Sequence, residues 1–168
     1  QKSAVIVRVD GDSVRTAQNS IDGARGLEGT PVGEAGGFKA TLKKKLQESF
    51  RPVQGVEVEG LFYEGTPYRV NINKKVIGKV VNDKNLTAEK IALLDVLPDV
   101  VRNGEYVGSG EYVAHSTRQK ETLRFDYFEP RVHLGGQDFF ARFDVEVLPG
   151  QNNYRTHEII KIDLTRPE

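Results

Sequence analysis

The stretch that most limits what this chain can become is "FFARFDVEV", residues 139–147. Phe139, Ala141, Phe143, Val145 and Val147 alternate with Arg142, Asp144 and Glu146. Successive side chains of a strand point to opposite faces, so this pattern asks for a sheet with one covered face and one polar face. Three more extended runs accompany it: "TLRFDYF", "RVHLGG" and "NYRTHEIIKIDL", separated by Gly, Pro and Asn turns. Such a series fits an antiparallel sheet covered on one side.

The first half reads differently. "SAVIVRVD" predicts a strand, and Val14, Ala17, Ile21 and Ala24 fall at roughly helical spacing. Residues 23–37, "GARGLEGTPVGEAGG", are a linker by composition, which divides the chain into a leading segment, 1–37, and a main domain, 38–168. Phe38, Leu42, Leu46 and Phe50 then form an apolar stripe, with Lys43, Lys44 and Lys45 off it, predicting an amphipathic helix over 38–50. Strand-like "VEVEGLFYEG" and "PYRVNIN" follow; in the second, Tyr68, Val70 and Ile72 share one face. A further helix is expected over 87–97. Thr87 is its N-cap, Glu89 sits in its first turn, Ile91, Leu94 and Leu97 are buried, and Pro98 ends it. "DVVRNGEYVGSG" reads as a short turn followed by an extended piece. The expected fold class is α+β: N-terminal helices packed on a twisted, mainly antiparallel β-sheet.

Composition narrows the chemistry. A chain of 168 residues can bury a substantial core. With no cysteine it has no disulfide framework, thiol nucleophile or thiolate metal site, and its three histidines make a structural zinc improbable. No run is apolar and long enough to span a membrane. The opening "QKSAVIVRVD" is not a signal peptide, and the absence of Met even at position 1 reads as a piece of something longer. Net charge is zero but unevenly spread: residues 1–80 hold 13 Lys/Arg against 9 Asp/Glu, and residues 81–168 hold 11 against 15. The basic stretch from Lys39 to Lys79 is suited to tracking phosphates, or is an ordinary solvated surface.

Regular alternation along "NYRTHEIIKIDL" would put Arg155, His157 and Lys161 on the face opposite Ile160, Ile162 and Leu164. Three potentially cationic groups suit a phosphodiester rather than a core. Metal-free RNA cleavage needs a group to deprotonate the 2′-OH, another to protonate the leaving 5′ oxygen, and a cation to offset charge on the phosphate. Histidine fits either proton-transfer role. His115 offers a second imidazole, with Ser116, Thr117, Arg118 and Lys120 beside it. Tyr154 and Thr156 flank His157, and either hydroxyl can hydrogen-bond a phosphate. The competing reading makes both histidines partly exposed polar residues in strands and turns. His133, in "RVHLGG", reads as structural or as surface. No G-x-S-x-G elbow or phosphate-binding loop is present, and no two carboxylates stand out for glycoside hydrolysis. Neither a metal nor a cofactor is expected.

The order of elements carries a resemblance. "LTAEKIALLDVLPDVVRNGEYV" is followed by "HSTRQKETLRFDYFEPRVHLGGQDFFARFDVEV" and then by "NYRTHEI". Over roughly residues 60–164 the chain resembles nuclease domains of the barnase/EndoU/colicin/RelE fold. These occur in phage polyvalent proteins and in bacterial polymorphic toxins, including contact-dependent growth inhibition effectors. The Tyr and His of "NYRTH" correspond best to that group, so His157 and Tyr154 carry over most directly, and "HSTRQK" corresponds to its polar loop. The resemblance implies a metal-independent toxin endoribonuclease, acting on RNA and most naturally on tRNA. It would carry His157, His115, Lys120, Thr117 and Tyr154 as catalytic groups, and Arg155, Lys161, Thr156 and Arg118 against the phosphate. It also implies delivery into the cytoplasm of a target bacterium and a cognate immunity protein in the producing cell. The absence of cysteine suits a domain that crosses an envelope before refolding. The alternative is a non-catalytic interaction module of a phage or secreted polyprotein.

Overall fold

A computed structural model describes residues 6–27, 37–111, 124–149 and 155–167. The chain opens with a short strand, Val7–Val9 (β1), and a helix, Gly11–Gly26 (α1). The Asp10 side chain caps α1 by accepting from the Ser13 backbone N–H at 2.9 Å. Gly37–Ser49 (α2) is the expected amphipathic helix; Leu42 is fully buried, and Phe38, Leu46 and Phe50 pack partly buried against the core. Two antiparallel strands follow, Val53–Tyr63 (β2) and Thr66–Ile72 (β3), with Tyr68, Val70 and Ile72 inward as expected.

Lys75–Val81 (α3) is a helix with no counterpart in the sequence reading. Its "KVIGKVV" is rich in β-branched residues and contains a glycine, both poor helix formers. Burial of Val76, Ile77, Val80 and Val81 against the core overrides that preference. The helix expected over 87–97 is two: Ala88–Leu94 (α4), capped by Thr87 with Glu89 in its first turn, and Leu97–Arg102 (α5). Pro98 does not end a helix but sits in the first turn of α5, where its missing N–H has no helical partner to lose. Residues 99–102 are consequently helix rather than turn.

The remaining strands are Tyr106–Glu111 (β4), Arg124–Phe128 (β5), Arg131–Leu134 (β6), Gln137–Pro149 (β7) and Arg155–Thr165 (β8). Among the described residues, eight strands make one mixed sheet in the order β1-β6-β7-β8-β3-β2, with β5 also on β7 and β4 on β5. β7 organises it. One edge pairs with β6 and then with β5; the other pairs with β8 from Phe140 to Pro149. Two pairings, β1 with β6 and β3 with β8, are parallel. The fold is α+β. Residues on both sides of the expected boundary at 37 share this sheet, because β1 lies beside β6 and α1 packs against α4.

The sheet is strongly curled. From β5 to β3 is three strand spacings, roughly 14 Å if the sheet were flat. Yet the Tyr68 hydroxyl on β3 donates to Asp126 on β5 at 2.5 Å. The concave face carries the core. Phe128 and Phe143 stack at 4.8 Å between ring centres, and the chain passes over them at Gly104. A Cβ there would stand 3.0 Å from the Val101 carbonyl and 3.1 Å from the Phe143 ring.

One buried charge ties helices to sheet. Lys90 of α4 is 3% exposed and its Nζ donates to Asp83 at 3.0 Å and to Asp163 of β8 at 2.7 Å. Burial alone would lower its pKa, but hydrogen bonds to the two carboxylates outweigh it and hold Lys90 above its ordinary value. Lys90→Met should lower the unfolding free energy by about 2–3 kcal/mol, because it leaves two half-buried carboxylates facing each other. Urea denaturation at neutral pH measures this; an unchanged midpoint would mean the pairing contributes nothing.

A polar cluster on the concave sheet face

The strand register decides which predicted groups can meet. Opposite residues share a face, and His157 lies opposite Val147, with Ile159 opposite Val145. His157 is thus on the concave, core-bearing face, 8% exposed. Its ring lies 4.2 Å from that of Tyr68 and 6.1 Å, edge-on, from that of Tyr63. An irregularity follows: the register shifts between Asp144 and Val145, so that Lys161 pairs Asp144 and Ile162 pairs Phe143. This bulge inserts one residue into β8 and breaks its alternation. Lys161 is accordingly exposed on the convex face, on the other side of the sheet from His157. The expectation that His157 and Lys161 project together, opposite Ile162, is overturned, as is the expectation that His157 is an exposed residue.

The other candidates divide by position. Arg155 and Thr156 begin β8, paired with Pro149 and Leu148; only their backbone is described. His115, Ser116, Thr117, Arg118, Lys120 and Tyr154 lie outside the described residues. His133 is half-buried, its Nδ1 2.7 Å from the Asp138 carboxylate on the neighbouring strand.

The cluster that does form on the concave face is centred on Asp126, 1% exposed. Three strands supply its partners. Tyr68 of β3 donates to Oδ2 at 2.5 Å and Ser109 of β4 to Oδ1 at 2.6 Å. Arg124 of β5 donates through Nε to Oδ1 at 2.8 Å and through Nη2 to Oδ2 at 3.2 Å. The hydroxyls of Tyr106 and Ser109 are 2.5 Å apart, and the Arg124 guanidinium lies 4.7 Å from the Tyr63 ring centre. Arg124 stands opposite Val147, and Val147 opposite His157, so the guanidinium and the imidazole occupy one transverse row of the sheet.

Electrostatics follow from this packing. Burial pushes the Asp126 carboxyl up, but hydrogen bonds from Arg124, Ser109 and Tyr68 together outweigh it and hold the group below the usual carboxylate range. Burial, and then the bond to Asp126, push the Tyr68 hydroxyl far above its ordinary value, so it stays protonated. The Asp126 hydrogen bond raises Arg124 in turn. The floor is therefore a fixed ion pair with a neutral phenol. Its accessible rim is Arg124, with 28% of its side chain exposed, together with Tyr106 and Ser109. A guanidinium has five N–H donors, so Arg124 keeps donors beyond those given to Asp126. Among the described residues no group of His, Asp and Glu is arranged to hold a metal ion.

Sequence reasoning missed Asp126, Arg124, Tyr68 and Ser109. The available signal was in "RFDYF": Arg124 and Asp126 share parity with Phe128, so one face of that strand is half polar. Such an arrangement, helices on a curled sheet whose concave face holds a multi-strand polar cluster, defines an α+β domain with a candidate ligand face. Residues 38–156, well over half the chain, match the model of large polyvalent protein-associated domain 3, and the chain belongs to that family. This agrees with the polyvalent-protein part of the resemblance. No curated protein and no solved structure matches the chain. No described helix is long and apolar enough to cross a membrane.

The depressed pKa of Asp126 has a defined sign. Its stabilisation is complete above the ordinary carboxylate value of about 3.9 and is lost as pH falls through the lower folded value. Asp126→Asn should cost roughly 2–3 kcal/mol at neutral pH by weakening three donors' partner. It should also flatten the fall in Tm below about pH 4, compared with the unchanged protein. Thermal melts from pH 7 to pH 2.5 check both; parallel curves would remove Asp126 from the acid transition.

Proposed function

We propose that this large polyvalent protein-associated domain is a metal-independent ribonuclease working on its concave face. The observation that carries the reading is the row Arg124–Val147–His157: a guanidinium and an imidazole on one sheet face, beside the Ser109 and Tyr106 hydroxyls. A face built only to pack helices would continue the apolar pattern of Phe128, Phe143 and Val145. In the reaction the substrate's 2′ oxygen attacks phosphorus, the bond to the 5′ oxygen breaks, and a 2′,3′-cyclic phosphate remains. One group takes the 2′ proton and one returns a proton to the 5′ oxygen. His157 fills one of these roles, and the remaining Arg124 donors offset charge developing on the phosphate. Asp126 and Tyr68 position Arg124. On this reading tRNA is the first substrate to test, the site of action is the cytoplasm of a target bacterium, and an immunity protein covers the concave face in the producing cell.

A second reading has its own support. Arg124 is already paired with Asp126, and Tyr106 at the rim and Val107, next to it in β4, are 49% and 53% exposed, which suits a docking face of a non-catalytic module.

Incubation with total bacterial RNA in EDTA separates the two. The ribonuclease leaves discrete fragments ending in cyclic phosphate, and His157→Gln lowers the rate by about 10²-fold or more. Because His157 is buried, each variant's Tm is measured alongside. Arg124→Lys keeps the charge but loses the planar fork, and should also cut activity. Activity lost in EDTA and restored by magnesium would overturn the mechanism; no fragments under either condition would favour the docking face.

A further inference from the structure

Four of the lysines between Lys39 and Lys79, namely Lys39, Lys43, Lys75 and Lys79, are brought by the fold around one surface pocket at Asp83. α2 and α3 pack side by side. Lys39 and Lys43 are one turn apart on α2, and Lys75 and Lys79 one turn apart on α3, about 6 Å along each axis. Lys43, Lys75, Gly78, Lys79, Asn82 and Asp83 line a surface pocket of about 460 Å³. Gly78 forms part of its floor: a Cβ there would stand 3.4 Å from the Lys43 ammonium, so Lys43 reaches across the α3 backbone.

The pocket's charge is not cancelled locally. Asp83 is its one carboxylate, and it is already engaged by the Asn85 backbone N–H at 2.8 Å and by buried Lys90 at 3.0 Å. Among the described residues Lys43, Lys75 and Lys79 enter no ion pair. Asp83 is held below the usual carboxylate range by Asn85 first, then Lys90, with a smaller effect from Lys161.

We propose that this surface binds the phosphate backbone of single-stranded nucleic acid, whether or not the concave face cuts RNA. Two ladders of ammonium groups flanking a depression suit a chain of phosphates, and the depression, with an exposed Asn82 amide, suits one phosphate at its centre. A membrane surface fits less well. The large exposed apolar side chains among the described residues are Leu27, Phe62, Tyr106 and Val107, none of them on α2 or α3. The apolar residues of α3 are buried in the core, leaving nothing to enter a bilayer interface.

The test uses the whole chain and a fluorescent 2′-O-methyl oligonucleotide, which binds as RNA does but has no 2′-OH to attack, so a failure of cleavage leaves it unaffected. Anisotropy titrations over a range of KCl should give a log K against log[KCl] slope of roughly −2 to −3, for three to four phosphate contacts. Lys75→Gln with Lys79→Gln should reduce that slope by about 1.4. Gly78→Glu replaces a weak helix former by a better one and puts a carboxylate among the lysines; it should keep Tm and lose most binding. Gly78→Ala should keep both. Equal slopes for the unchanged protein and the Lys75/Lys79 variant would overturn the proposal, as would undiminished binding by Gly78→Glu or no binding at low salt. Binding to phosphatidylserine vesicles but not to the oligonucleotide would assign the surface to membranes instead.

Discussion

The Asp126 carboxylate joins three strands that are not all neighbours. It accepts from Tyr68 on β3, Ser109 on β4 and Arg124 on β5. The β3 contact spans three strand spacings, closed by the long Tyr68 side chain together with the curl of the sheet. A carboxylate at 1% exposure is tolerated only when its charge is met by donors. Arg124 on the same strand and Ser109 on the adjacent strand supply two of those donors, the curl brings in Tyr68 as the third, and the satisfied carboxylate in turn ties β3 to β5. The polar cluster and the place of His157 beside Tyr68 both belong to this arrangement.

The two faces then have different chemistry. Apolar packing around Phe128 and Phe143 grades into the cluster of Asp126, Arg124 and His157 on the concave side. On the convex side Arg142 donates to Asp144 at 2.7 Å and to Glu129 at 3.0 Å, and its guanidinium lies 4.3 Å from the Tyr127 ring centre. This is a solvated lattice of opposite charges, each pair contributing little on its own. The bulge in β8 passes from one regime to the other: before it His157 and Ile159 face inward, and after it Ile162 does.

Charge that sums to zero over the chain is sorted by the fold into separate surfaces. Lys43 of α2 and Lys75 and Lys79 of α3 lie together because α3 packs on β8 and against α2. Asp83, the acid among them, is drawn to Lys90 beneath the surface. Formal neutrality thus says little about what the domain can bind, since local potential and not net charge acts on a ligand at a few ångströms.

Local periodicity was legible in the residues themselves. The alternation of Phe139 to Val147 specified β7, the stripe from Phe38 to Phe50 specified α2, and Thr87 marked the start of α4. Each rests on side chains a few positions apart, which sequence displays directly. The helix α3 was not legible, since its Val-rich segment is helical only because the core accepts four apolar side chains there. The candidate site was legible only as residue types. His157 was singled out for its chemistry, but its face, neighbours and burial follow from register, from one inserted residue in β8 and from the curl that brings Tyr68 to Asp126. Those are contacts between residues 58 apart in the chain, and no local pattern encodes them.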